Sequence, residues 1–145
     1  MVVKVTVSGK PEPKGSTRAF SVKSKYPGAK YPYRAVVTSD NPRLKAWATT
    51  VAAQAGIAMR AAGLFAPVAG PVHVRLRFVL LRALSNRRPE PTIRPDLDKL
   101  VRGALDAITG TMLRDDSQVT SLCARKKYTV CAEDVRTELA VRIRQ

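Results

Sequence analysis

A single stretch, RPDLDKLVRGALDAITGTMLRDD over residues 94–116, does most to limit what this chain can become. Leu97, Leu100, Val101, Ala104, Leu105 and Ile108 recur at the spacing that lays one apolar stripe along an α-helix. Pro95 suits a first turn and Gly110 a helix end, so the spacing predicts a helix between them. The segments around it alternate with a period of two instead. Val72, Val74, Leu76, Phe78 and Leu80 face one way in a strand whose other side carries His73, Arg75 and Arg77. Residues 117–130 read as a strand with Arg125, Lys126 and Lys127 late in it. Val3, Val5 and Val7 make another, and Thr137, Leu139, Val141 and Ile143 a last one. Residues 19–38 read as two short strands around a loop. Asp40-Asn41-Pro42 starts a second helix, with Leu44, Trp47, Ala48, Val51, Ala55, Ala58 and Ala62 along one face up to Gly63, and Trp47 in the core. The expected fold is α+β: a single domain over 1–145, a mixed β-sheet of about four to six strands and two main helices packed against it.

The same stretch holds most of an uneven charge distribution. The chain has 26 Lys plus Arg against 11 Asp plus Glu, yet Asp96, Asp98, Asp106, Asp115 and Asp116 all fall here. Asp96 is placed at the helix mouth and Asp98 in its first turn, while Asp98, Arg102 and Asp106 share the polar face. Arg114-Asp115-Asp116 comes after a short turn and is expected to fold back beside that mouth. Three converging carboxylates there would offer oxygen ligands to a hard divalent ion such as Mg²⁺. Capping is the structural alternative. Acids at a helix N-terminus offset the macrodipole, and Asp115 with Gln118 fits a capping pair.

A formal charge of +15 and a pI near 10.6 point to a polyanionic partner, nucleic acid before membrane. The candidate contacts are Lys10, Lys14 and Arg18 of a Pro/Gly-rich loop, Arg75 and Arg77 of the basic strand face, and Arg125, Lys126 and Lys127. A second loop, RALSNRRPEPTIR, adds Arg87, Arg88 and Arg94 beside the acids. Tyr26, Tyr31 and Tyr33 interleave with lysines, a mixture suited to phosphate contact and base stacking, or else to a hairpin with tyrosines packed on its own base. His73 is the one histidine, which excludes nucleases built on a histidine base with histidine metal ligands. Cys123 and Cys131 lack further ligands for zinc and are expected reduced and semi-buried. No apolar run approaches membrane-spanning length, and the start reads as a strand rather than a signal peptide, so a cytoplasmic protein is expected.

Pro95-Asp96-Leu97-Asp98 with Leu100, then Leu105-Asp106-Ala107, then Asp115-Asp116 with Gln118-Val119, resembles the RusA family of Holliday-junction resolvases. Lys10-Pro11, then Pro13-Lys14-Gly15, is similar to that family's opening motif. The resemblance is anchored over residues 94–127 and looser over 9–20. It implies a homodimeric, Mg²⁺-dependent endonuclease of bacteria and their phages, with Mn²⁺ able to substitute, acting on four-way DNA junctions. It places the catalytic, metal-holding aspartates at Asp96, Asp98 and Asp116. Lys99 stands where the family usually has Asn, and Arg102 stands at its catalytic lysine. Arginine stays protonated, so Arg102 is expected to stabilise a phosphate rather than shuttle a proton, with Asp106 orienting it and Lys99 the second candidate for the role. Two other functions stay open: a non-enzymatic nucleic-acid-binding module, and a metal-dependent nuclease acting on other branched DNA or structured RNA.

Overall fold

The computed structural model describes residues 1–15, 17–28, 30, 31, 33–39 and 41–144, leaving aside the side chains of residues 17, 18 and 37–39. Its elements run β1 (Val2–Ser8), β2 (Thr17–Lys23), β3 (Tyr33–Ser39), α1 (Leu44–Ala61), β4 (Val72–Leu81), α2 (Leu97–Ile108), β5 (Val119–Thr129) and β6 (Arg136–Ile143). Four strands form one mixed sheet in the order β1-β6-β4-β5, and β2 pairs with β3 as a separate hairpin. β6 is antiparallel to both β1 and β4, whereas β4 and β5 are parallel. A parallel pair needs a crossover, and α2 supplies it.

One sheet face carries the core. Val3, Val5 and Val7 from β1, Val72, Val74, Leu76 and Phe78 from β4, and Leu139 and Val141 from β6 are buried there against the helices. α1 contributes Trp47, Val51, Ala55 and Met59, and α2 contributes Leu100, Val101, Ala104 and Ile108. The α+β sheet-and-two-helix architecture is as expected, and Trp47 is a core residue. α1 begins at Leu44, with the Asn41 side chain accepting from the Arg43 amide at 3.1 Å; Asp40 lies outside the described residues. α2 begins at Leu97, two residues later than a proline in its first turn would have placed it.

The other sheet face is open and basic. Register puts Arg75 beside Cys123, Arg77 beside Arg125 and Val79 beside Lys127, all on this side. Lys126 lies between them on β5 and points to the helix side, so the basic run splits across the sheet. The cysteines need correction: both are free, and both are exposed rather than semi-buried. β5 is an edge strand with few residues over its outer half, so Cys123 has nothing to bury it.

Candidate active site

α2 is set in place from two sides. On one side, the loop leading into it is held by β5. The Lys126 ammonium donates to the carbonyls of Ile93 and Pro95, each at 2.9 Å. Asn86 donates to the Tyr128 hydroxyl at 2.6 Å, Arg82 to the Asn86 carbonyl at 2.7 Å, and Arg88 to the Thr92 hydroxyl at 3.1 Å. On the other side lies the KPEPKG loop. Its Gly9 amide donates to Val135, and its Lys14 amide to the Lys99 carbonyl, both at 2.9 Å. Pro11 is fully buried, and the buried Glu12 carboxylate accepts from Asn41 at 3.0 Å. Gly103 makes this close approach possible, because a Cβ there would stand 3.1 Å from the Glu12 carbonyl oxygen and 3.3 Å from Leu44 Cδ1.

Asp96 occupies the N-cap position in an extended conformation but makes no side-chain cap hydrogen bond. Its nearest cation is Lys99, with Nζ 3.8 Å from Oδ2, and both side chains remain well exposed. Asp98 and Arg102 are exposed on the same polar face, and among the described residues neither has an ion-pair partner. The expected pairing of Asp106 with Arg102 is not what forms. Asp106 pairs with Lys14, which crosses from the opening loop to reach it. A cleft of about 310 Å³ beside the helix mouth is lined by Lys10, Lys14, Arg94, Asp96 and Lys99. A second, of about 820 Å³, lies between Arg94, Asp96 and Lys126. Two carboxylates at a mouth rimmed by cations can hold a cation and present a phosphate to it.

Asp115 and Asp116 belong to a different place. Asp115 caps the short turn Asp116–Gln118: its carboxylate accepts from the Ser117 amide at 2.9 Å, and Gln118 closes the reciprocal half of a capping box. Hydrogen bonding to Ser117 holds the Asp115 carboxyl below its ordinary pKa. The capping alternative therefore describes Asp115. Asp116, exposed and without an ion-pair partner among the described residues, stays available. Gln118 anchors the turn to the start of β4 by donating to the carbonyls of Val68 and Gly70, at 3.0 and 2.9 Å.

That anchor lies at the far end of α2 from Asp96. The helix has 12 residues, which at ~1.5 Å of rise each carries the chain roughly 18 Å. β5 returns the same answer: Lys126, which holds Pro95, is seven residues along from Val119, or about 23 Å at ~3.3 Å per residue. Among the described residues no three His, Cys, Asp or Glu side chains stand together as a metal-holding group. The expected convergence of Asp116 with Asp96 and Asp98 does not occur within one protomer. Their oxygen chemistry suits Mg²⁺; their placement does not close a site around it.

The other candidate contacts divide by surface. Lys10, Arg87, Arg88 and Arg94 are exposed on the two loops. Arg75, Arg77 and Arg125 line a groove of about 500 Å³ on the open face together with Lys4. Its one carboxylate, Glu138, is taken up by Arg77 and Arg136, each at 2.9 Å. The Arg18 side chain lies outside the description. His73 stands on the open face, away from the aspartates. The hairpin tyrosines are not packed: Tyr26 is 82%, Tyr31 73% and Tyr33 61% exposed, with Lys30 Nζ 5.9 Å from the centre of the Tyr31 ring. Sequence reasoning missed the bracing role of Lys126 and Tyr128. Their parity with Leu122 and Ala124, the helix-facing positions of β5, was the available signal.

A family model described as endodeoxyribonuclease RusA matches residues 10–142. Over 52 residues the chain is 40% identical to the uncharacterized protein YqaN of Bacillus subtilis (strain 168), a match covering 36% of this chain and 34% of that protein. The chain thus spans about a third of the length of that relative.

Proposed function

From the membership of this chain in the RusA endodeoxyribonuclease family, we propose that it is a structure-selective endodeoxyribonuclease that resolves four-way DNA junctions by paired nicks. The observation that supports this most is the pair Asp96 and Asp98. Neither carboxylate is spent on a cap, and both face a mouth rimmed by Lys10, Arg94, Lys99 and Arg102. A phosphate drawn there by the basic rim meets Arg102 and Lys99 as the groups that stabilise charge on its oxygens. The loops carrying Arg87, Arg88 and Arg94 extend the track for the backbone, and the exposed tyrosines of the β2–β3 hairpin offer stacking surfaces for unpaired bases at a branch. Mg²⁺, with Mn²⁺ as a substitute, is the cofactor that this proposal includes, and a homodimer is the assembly, because a two-fold junction needs two related cuts. Among the described residues no helix is long and apolar enough to cross a membrane. We place the protein in the cytoplasm of a bacterium, encoded by the host or a phage.

The decisive experiment is incubation with a synthetic four-way junction, with and without Mg²⁺, and then mapping of the cuts. Symmetric nicks that need the metal support the proposal, and undiminished cutting in excess chelator overturns the metal. One observation favours a second reading: the three aspartates do not meet in a single protomer. A non-enzymatic junction-binding module accounts for that, and it predicts binding without cutting under every metal condition.

A further inference from the structure

The two ends of α2 pose a problem that one protomer cannot solve. Asp96 and Asp98 sit at its mouth, held there through Lys126, while Asp116 sits beside the start of β4, held through Gln118. Carboxylate oxygens bind a hard divalent ion at ~2.0–2.6 Å, so a separation of roughly 18 Å cannot be closed by side-chain rotation. Both ends belong to the same margin of the molecule, along the unpaired edge of β5. That edge is long, 11 residues, and Leu122 on it is 45% exposed.

We infer that the carboxylate set is divided between two copies of the chain, each site taking Asp96 and Asp98 from one protomer and Asp116 from its partner. The inference rests on the nuclease reading and deepens it. An open strand edge is a ready template for pairing with another strand. A two-fold axis crossing the β5 edge runs the two edges antiparallel, so the Asp116 end of one copy turns toward the α2 mouth of the other. The isologous contact then repeats the arrangement, giving two sites related by symmetry. A single protomer holds two half-sites and no whole one.

Subunit complementation tests this. Asp96→Asn and Asp116→Asn each leave the local fold intact, since Asn suits these turn and cap positions as Asp does. Each homodimer should lose Mn²⁺ binding, read by electron paramagnetic resonance, and about 100-fold or more of its nicking activity. The two variants are then co-expressed with different affinity tags and purified through both. In that heterodimer one site regains all three aspartates and the other lacks two. It should bind Mn²⁺ at half the wild-type stoichiometry and nick one strand of a junction without resolving it. A purified heterodimer as inert as its parents overturns the inference, because a site built within one protomer carries a substitution in both subunits. Wild-type Mn²⁺ binding by either homodimer overturns it too. Wild-type protein that cuts while the heterodimer stays dead defeats this inference alone; wild-type protein that neither cuts nor binds Mn²⁺ defeats the nuclease reading with it.

Discussion

Replacing Lys126 by Met separates two roles that a basic residue can play in a DNA-binding protein. The substitution keeps the apolar stem and removes the ammonium that donates to the Ile93 and Pro95 carbonyls at 2.9 Å. A hydrogen bond from a charged group contributes ~1.5–3 kcal/mol when shielded from water. The Pro95 bond is partly buried and falls near the bottom of that range. The Ile93 bond is exposed, and water replaces most of it, leaving about 0.5 kcal/mol. The loss is thus about 2 kcal/mol, which for a domain of this size lowers Tm by roughly 4–8 °C if the loop unfolds with the core. Asp96 comes directly after Pro95, so the variant should also cut more slowly and show faster amide exchange over residues 92–97. Differential scanning calorimetry and junction binding across a salt series check this. A brace leaves the salt slope unchanged. If Tm holds while the slope falls by about one unit, Lys126 contacts a phosphate, and the bracing role is refuted.

The same geometry sets other outcomes. Asp96→Asn, Asp98→Asn and Asp116→Asn should each retain junction binding in Ca²⁺ and lose cutting by about 100-fold or more, while Asp106→Asn and Asp115→Asn lose less; gel-shift and nicking assays on one set of preparations decide it. Arg102→Ala should slow nicking strongly and Arg102→Lys should keep much of the rate, measured under single-turnover conditions. Gly103→Ala should cost about 1–3 kcal/mol in denaturant unfolding, because its Cβ meets the Glu12 carbonyl at 3.1 Å and backbone yields less readily than a side chain.

The strands and α2 were legible because each wears its burial as a period. Val3, Val5 and Val7 are buried in alternation, and Leu100, Val101, Ala104 and Ile108 share one helix face. Asp96 and Asp98 were legible for the same reason, since position on a helix is set by spacing. Asp116 was misplaced because spacing gives the length of α2 but not the direction the chain takes after it. β5 runs parallel to β4, so the turn that looked free to fold back stays at the far end. Lys126 was hidden in a run of three basic residues, where charge drew attention away from strand parity. Lys14 was read as a phosphate contact, and its pairing with Asp106 spans ninety-two positions, which no local pattern reports.

The sheet order β1-β6-β4-β5 has a consequence for how the protein comes into being. β1 is translated early but hydrogen-bonds in its sheet only to β6, whose residues 136–143 emerge more than a hundred positions later. The opening loop depends on the same late segment, because Gly9 is fixed by Val135. Such distant pairing is slow to form, as loop closure must precede any gain from contact. A nascent chain that has already made α2 therefore carries Asp96 and Asp98 without the wall that Lys10 and Lys14 supply. The rim of the cleft forms only when synthesis has passed β6, so a half-made chain is unfit to engage DNA while still on the ribosome.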